Sequence, residues 1–410
     1  MKKISLSWFF IILCAVVGGG VILLNLYFKI IRFKTTPIIN SSESLIVENN
    51  NFLIASPAEN SAPAENLFLP TPQKVKAIYM TGYSFTHSDL RQNLIDLVET
   101  SELNSLVIYV KDPNNKFIFY PQSEILKNQP ISPTAISNQD VKNILKDLQD
   151  KDIYTIARIV TFQDNTIAEV LPQYALKAKN GRLWRDYGGH AWLDMTNPQV
   201  WQLPVNQAKE AFDLGFDEVQ FDYIRFPSDG NINNIDYHQL SDNRKRYQVL
   251  NEFFKYLKTE LSSYKQPISL DLFGLTYKNW ADPEYDLGIG QRLIDALPYF
   301  DYISPMVYPS HYPNGYLGYS NPAAHPYEIV NDSLIEGNQI VQNSNLANPA
   351  STRPWLQDFD MGANYTAKMI DAQIKACDEN NTNGWILWNP RNQYTVEASE
   401  IKNKIQLSEK

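Results

Sequence analysis

Hydrophobic and polar residues alternate along residues 215–230, GFDEVQFDYIRFPSDG. Because successive side chains of a strand point to opposite faces, Val219 and Phe221 share one face, and Glu218 and Asp222 share the other. An apolar face opposite an acidic face is typical of a barrel strand, whose outer face packs on helices and whose inner face leads to a polar mouth. We therefore expect Asp222 at the carboxyl end of a barrel strand. A strand whose acids are merely solvated is the alternative.

The same periodicity predicts strands that alternate with helices along the rest of the chain. The predicted strands are 76–84, 104–112, 153–162, the central part of 215–230, 267–276, 301–312, 353–360 and 384–390. The predicted helices are 87–101, 140–151, 198–215, 243–263, 288–300, 326–342, 366–380 and 396–406. Eight strand–helix pairs in this order are typical of an α/β protein with a (β/α)8 TIM barrel, here with enlarged loops.

An apolar run occupies residues 8–28 and is interrupted only by Asn25. As a helix it would be roughly 30 Å long, which is enough to cross a bilayer core. No small-residue cleavage site follows it directly, so the pattern favours a membrane anchor over residues 1–34 rather than a cleaved signal sequence. We expect a single-pass protein in the cytoplasmic membrane with the barrel outside. A secreted protein is the alternative.

Residues 35–73 are rich in Asn, Ser, Glu, Ala and Pro. A segment of this composition has too little apolar material to form a core, so it is expected to be a flexible linker. The folded domain is therefore predicted to span residues 74–410.

Composition excludes several classes of function. The formal net charge of −9 provides no basic surface for nucleic acid. The two cysteines, Cys14 and Cys377, lie far apart and do not suggest a disulfide framework. The five histidines show no zinc-binding spacing, and no glycine-rich phosphate loop follows a strand, so neither a metal nor a cofactor is predicted.

Polar and aromatic residues recur at the carboxyl ends of the predicted strands. They include Lys111, Asp222, Arg225, Asp271, Tyr308, His311, Gln357, Asp360 and Trp388. Aromatic rings cover the apolar faces of sugars, and carboxylates bind hydroxyl groups or perform acid–base chemistry. Each acid taken singly is more often a helix cap or a surface charge than a site residue. Their recurrence at one rim is what favours a sugar-binding site.

Glycoside hydrolysis requires one protonated and one ionised carboxyl group. Asp222 is predicted to be the ionised one, with Arg225 folding back over the rim to pair with it. Asp271, on the neighbouring strand, is the first candidate for the proton donor, and Asp360 is a further catalytic candidate.

The strings FDEVQFDYIRFPSDG, SLDLFGLT, DYISPMVYPSHY, RPWLQDF and NGWILWNP resemble the bacterial putative glycosyl hydrolase domain family. The resemblance covers roughly residues 75–395. It implies a sugar-cleaving (β/α)8 barrel, distantly similar to the α-amylase type, with a catalytic aspartate at the end of strand four. That aspartate corresponds to Asp222. The resemblance also covers positions expected to contact substrate or assist chemistry, namely Tyr223, Arg225, Asp271, Tyr308, His311, Gln357 and Trp388.

One position departs from the family pattern. Relatives usually carry an acid in strand two, whereas VIYVKD places Tyr109 there. Two functions therefore remain open. One is an extracytoplasmic glycoside hydrolase that acts on a polysaccharide by paired-carboxylate chemistry. The other is a non-catalytic barrel that binds cell-wall glycan.

Overall fold

The computed structural model describes residues 68–238, 240 and 244–395. Its main sheet contains eight parallel barrel strands: β1 (Val75–Met80), β2 (Ser105–Tyr109), β3 (Tyr154–Val160), β4 (Glu218–Asp222), β5 (Ile268–Phe273), β6 (Tyr302–Met306), β7 (Trp355–Gln357) and β8 (Gly384–Trp388). The sheet closes because β7 pairs with both β6 and β8, and β8 pairs with β1. The predicted (β/α)8 barrel is confirmed.

Within the described residues, three short strands lie outside the set of eight. Ser351–Thr352 pairs with the start of β6, so the chain approaches β7 along the same edge. In the loops, Lys177–Ala178 pairs antiparallel with Ile235–Asp236. This pairing connects the long loop after β3 to the loop after β4.

Seven helices pack around the barrel in the described part of the chain. They are α1 (Ser88–Glu99), α2 (Asn138–Asp150), α3 (Gln202–Leu214), α4 (Arg246–Glu260), α5 (Leu293–Ala296), α6 (Pro326–Asn343) and α7 (Ala367–Glu379). Two further short helices cover Gly82–Thr86 and Asn165–Val170. The predicted final helix, 396–406, lies outside the described residues.

Several predicted elements are shorter than expected, and in two of them the cause is local. The strand predicted over 76–84 ends at Met80, because Thr81 accepts a hydrogen bond from the Ser84 N–H and begins a short helix. The helix predicted over 288–300 is reduced to α5. Gly288 and Gly290 have φ values of 70° and 82°, which are incompatible with a right-handed helix.

The alternation predicted for β4 is present. Val219 and Phe221 belong to the apolar layer between sheet and helices. On the opposite face of β4, Glu218 and Asp222 face the lumen, where Asp222 pairs with Arg158 of β3 and Glu218 pairs with Arg353, which precedes β7. The lumen also contains a separate apolar cluster that includes Tyr79 and Ile386.

The amino-terminal end of the lumen is closed by a buried polar network. Glu218 forms an ion pair with Arg353, and both side chains are completely buried. Tyr154 donates to the Glu218 carboxylate at 3.1 Å. Leu69 packs against the lumen cluster, and its N–H donates to Asp217 at 2.6 Å. The packed structure therefore includes residues N-terminal to the predicted domain start at residue 74.

No helix in the described part of the chain is both long and apolar enough to cross a membrane. The predicted anchor, residues 1–34, and residues 35–67 of the predicted linker lie outside the described residues.

Candidate active site at the carboxyl end of the barrel

Two aspartates on neighbouring strands lie at the carboxyl end of the lumen. Asp222 is the last residue of β4, and Asp271 lies in β5. Arg158 of β3 connects them: its Nη2 donates to Asp222 Oδ2, and its Nε lies 3.9 Å from Asp271 Oδ2. Asp222 is 5% exposed and Asp271 is 1% exposed. The structure thus brings together the two carboxyl groups that the sequence singled out first.

The environment of Asp271 favours its protonated form. Burial raises its pKa well above the usual range, the negative charge of Asp222 raises it further, and the positive charge of Arg158 opposes this rise. Trp355 Nε1 donates to Asp271 Oδ1 at 2.7 Å. Oδ2 accepts no hydrogen bond, so it is the oxygen available to carry the proton.

Asp222 is fixed by its own strand end. The Tyr223 N–H donates to Asp222 Oδ1 at 2.6 Å. Tyr223 has a φ of 53°, a left-handed conformation that is rare for a bulky residue. Such outliers persist where the surrounding structure enforces them, and they cluster at functional sites.

Aromatic rings surround the guanidinium of Arg158. Trp388 packs against Tyr79 with 4.2 Å between ring centroids and meets Trp355 edge-on at 5.6 Å. The Cζ of Arg158 lies 5.3 Å from the Trp388 ring centroid. Because Ile386 is in the lumen and Trp388 is two residues further along β8, the half-buried Trp388 ring is on the lumen side and closer to the mouth than Ile386.

The predicted partner of Asp222 was wrong. Arg225 does not pair with this carboxylate, because its Nη1 donates to the Phe226 carbonyl and to Ser228 Oγ, both at 3.2 Å. Arg158 supplies the cation instead. The sequence shows why the prediction failed: Arg225 is close in sequence, whereas Arg158 becomes a neighbour only when β3 pairs with β4.

Tyr308 and His311 follow β6, and their rings meet edge to face with 5.2 Å between the ring centroids. Burial raises the pKa of Tyr308 well above its usual value. Burial lowers the pKa of His311 to about 4, so the ring is neutral at pH 7. Gln357 is completely buried and uses its side chain to hold the loops, accepting from the Ser310 N–H and donating to the Phe359 carbonyl.

Two other candidates lie in different settings. Lys111 is 1% exposed, and its ammonium group forms an ion pair with Asp164 at 2.5 Å. Asp360 is exposed, and its carboxylate accepts a hydrogen bond from the Tyr365 N–H at 2.7 Å. The first is a buried structural pair and the second is a loop cap. Neither is joined by these contacts to the Asp222–Asp271 pair.

Sequence reasoning assigned no role to Arg158, Tyr79 or Trp355, although all three contribute to the site. The signal was available, because each lies in phase with lumen-facing residues of its own strand. Tyr109, which replaces an acid usual in the resembled family, is also in the lumen. Its hydroxyl donates to Asn115 at 2.8 Å, and its ring lies 5.3 Å from the Arg158 Cζ.

A closed (β/α)8 barrel with paired carboxyl groups and aromatic rings at its carboxyl end is an architecture of glycoside hydrolases. Within that class, the chain belongs to the family described as "Putative glycosyl hydrolase domain", whose profile matches residues 77–394. The resemblance recognised in the sequence is confirmed. No protein of curated function matches the sequence.

Two solved structures share the fold. The glycoside hydrolase domain of PgaB (BpsB) from Bordetella bronchiseptica is 12% identical, with a TM-score of 0.55 over 77% of this chain and 93% of that domain. An α-galactosidase from Thermus thermophilus is 12% identical, with a TM-score of 0.50 over 83% of this chain and 62% of that enzyme. A hypothetical protein from Ruminiclostridium thermocellum is 29% identical over 47% of this chain and 96% of its own, with a TM-score of 0.42.

Proposed function

We propose that this protein is a glycoside hydrolase that uses Asp222 and Asp271 as its carboxyl pair. The observation that carries the proposal is their different surroundings. Arg158 forms an ion pair with Asp222, whereas burial and the neighbouring negative charge raise the pKa of Asp271 well above its usual range and so favour its protonated form. Glycoside hydrolysis needs this division between an ionised and a protonated carboxyl group.

In this proposal Asp222 stabilises or attacks the developing positive charge on the sugar, and Asp271 donates its proton to the leaving oxygen. The Trp355 N–H orients Asp271 by binding Oδ1, which leaves Oδ2 for proton transfer. Trp388 and Tyr79 provide an aromatic face for a sugar ring at the mouth.

The proposed substrate is a polysaccharide outside the cytoplasmic membrane. The support for this location is the apolar run 8–28, which fits a membrane anchor. Fractionation of cells tests it: the full chain is expected in the membrane fraction and accessible to external protease. A soluble protein trimmed near residue 60 would contradict the anchor.

Release of new reducing ends from a panel of glycans tests the activity. Asp222→Asn and Asp271→Asn are each expected to reduce turnover by at least about 10²–10⁴-fold, the usual contribution of a positioned acid or base. Asp89→Asn, which changes an exposed carboxylate on α1, is the matched control and should retain wild-type turnover. Asp222→Asn turnover within about tenfold of the wild type would contradict the assignment.

A glycan-binding barrel without catalysis is the second candidate. The observation that favours it is the 1% exposure of Asp271, because a proton donor must reach its substrate. Affinity for a glycan without release of reducing ends, at any pH between 4 and 9, would establish binding in place of hydrolysis.

A further inference from the structure

The guanidinium of Arg225 lies at the rim of the barrel mouth among three aromatic rings. Its Cζ is 4.9 Å from the ring centroid of Trp192, 5.2 Å from that of Tyr223 and 4.9 Å from that of Phe273. Tyr223 directly follows the last residue of β4, and Phe273 is the last residue of β5. The guanidinium therefore lies beside the strand ends that carry the two catalytic candidates.

The charge of Arg225 is not compensated by a carboxylate of the described chain. Its side chain is only 9% exposed, and its Nη1 makes two hydrogen bonds to neutral groups, the Phe226 carbonyl and Ser228 Oγ. Within the described residues, Nε and Nη2 donate to no acceptor, and neither is fully enclosed. Burying a cation without an anionic partner is unfavourable. A group that arrives from outside the chain would relieve this cost.

The neighbouring carboxyl groups do not form an ion pair with Arg225 either. The carboxylate of Asp222 is already paired with Arg158, and the nearest cation to Asp271 is also Arg158, at 3.9 Å. Asp186 receives hydrogen bonds from Trp192 and Gln163 and pairs with His190. Arg225 therefore has no ion-pair partner among these carboxyl groups, in a chain whose formal net charge is −9.

The free N–H donors of Arg225 suit a ligand group that has two acceptor oxygens. Nε and Nη2 form a planar fork, which binds the two oxygens of a carboxylate or a phosphate ester at once. The surrounding rings hold the guanidinium in place, so little side-chain freedom is lost on binding. We propose that Arg225 selects glycans that carry an anionic group, a uronate carboxylate or a phosphate ester, and binds that group at the rim. This inference rests on the proposed function for the glycan nature of the ligand.

Binding to matched pairs of oligosaccharides tests this selection in the full-length protein. One pair is oligogalacturonides and their carboxyl-reduced forms. The other is phosphorylated oligomannosides and their dephosphorylated forms. The wild type is expected to bind the anionic member of one pair at least about tenfold more tightly, as one charge-assisted hydrogen-bond pair predicts, and the preference should weaken with salt. Which pair shows the preference distinguishes a uronate from a phosphate.

Three variants assign the preference to Arg225. Arg225→Met should reduce the preference to within about twofold, and Arg225→Lys should keep part of it, because lysine retains the charge but not the fork. Arg246→Met is the matched control: this guanidinium also lies over a ring, 5.5 Å from the Phe226 centroid, but donates to the Gly288 carbonyl. It should keep the wild-type preference.

Several outcomes overturn the inference. They are equal binding of both members in each pair, binding of neither anionic member, and a full preference that survives in Arg225→Lys and Arg225→Met. If Arg225→Met does not fold, full retention of the preference by Arg225→Lys at high salt is sufficient to overturn it. Reducing-end release measured on the same glycans separates this result from the proposed function. Anion-selective binding without hydrolysis contradicts only the enzyme, and hydrolysis of neutral glycans alone contradicts only the selection.

Discussion

Asp271 lies on the strand next to Asp222, and the charge of Asp222 is one of the causes that raise the pKa of Asp271 well above its usual range. Arg158 pairs with Asp222 directly and reaches only to 3.9 Å from Asp271. One cation thus stabilises one negative charge and leaves the second carboxyl group neutral. This division of roles has consequences for pH dependence and stability.

The pH dependence of stability should reveal the buried proton of Asp271. Because its pKa is raised in the folded state, its favourable contribution is complete below pH about 4, the pKa of an unfolded aspartate, and is lost as pH rises through the folded pKa. Asp271→Asn cannot ionise. We therefore expect the free energy of unfolding of Asp271→Asn, relative to the wild type, to increase from pH 4 to pH 9. A difference that is constant with pH, measured by urea unfolding, would show that Asp271 titrates normally.

The pH dependence of catalysis should also reflect the proton of Asp271. If Asp271 is the proton donor, kcat/KM should fall on the alkaline side as this group ionises in the free enzyme. Arg158→Lys keeps a positive charge at the pair and should keep an alkaline limb, whereas Asp271→Asn should lose both the limb and most of the turnover. An alkaline limb that persists unchanged in the residual activity of Asp271→Asn would assign that proton to another group.

Removing the cation should destabilise the barrel. Arg158→Met leaves the buried Asp222 carboxylate without a partner, and breaking a buried ion pair typically costs about 3–5 kcal/mol. The double variant Arg158→Met/Asp222→Asn should recover part of this loss, because no unpaired charge remains. Additive losses in the double-mutant cycle would mean that the two side chains contribute independently.

Trp388 and Trp385 provide a matched test of the aromatic platform. Trp388 is half-buried in the lumen, whereas Trp385 is 1% exposed and belongs to the outer core. Trp385→Ala is expected to lower stability by about 3–5 kcal/mol, as for other buried aromatic residues, without a specific effect on glycan affinity. Trp388→Ala is expected to weaken glycan binding by about tenfold or more, as stacked aromatic contacts predict. Unchanged affinity in a folded Trp388→Ala protein would make this ring purely structural.

Leu69 tests whether the segment before β1 belongs to the folded domain. It packs against the lumen cluster, so Leu69→Ala should lower the free energy of unfolding by about 1–2 kcal/mol, which is less than the full value because the side chain is only half-buried. Leu90→Ala is the control, since Leu90 is 42% exposed on α1 and should change stability by less than about 0.5 kcal/mol. Equal effects at the two positions would place the domain start near residue 74.

The sequence by itself determined the architecture. Apolar alternation in the strands and apolar periodicity in the helices are local properties, and each shows directly which face of the element is buried. For this reason the eight strands, the lumen-facing phase of Asp222 and the position of Trp388 near the mouth could all be predicted. Local exceptions also have local causes, such as the left-handed Gly288 and Gly290 that shorten α5.

Only the tertiary structure decided which charges meet. Arg225 is three residues from Asp222, but the carboxylate pairs with Arg158, which is 64 residues away in sequence and adjacent across the sheet. Likewise, Leu69 lies in a segment whose composition suggested a linker, yet its N–H binds Asp217, 148 residues away. Pairing between strands and the burial of each charge depend on distances through space, and the protonation of Asp271 follows from that burial. A pattern along one strand does not contain this information.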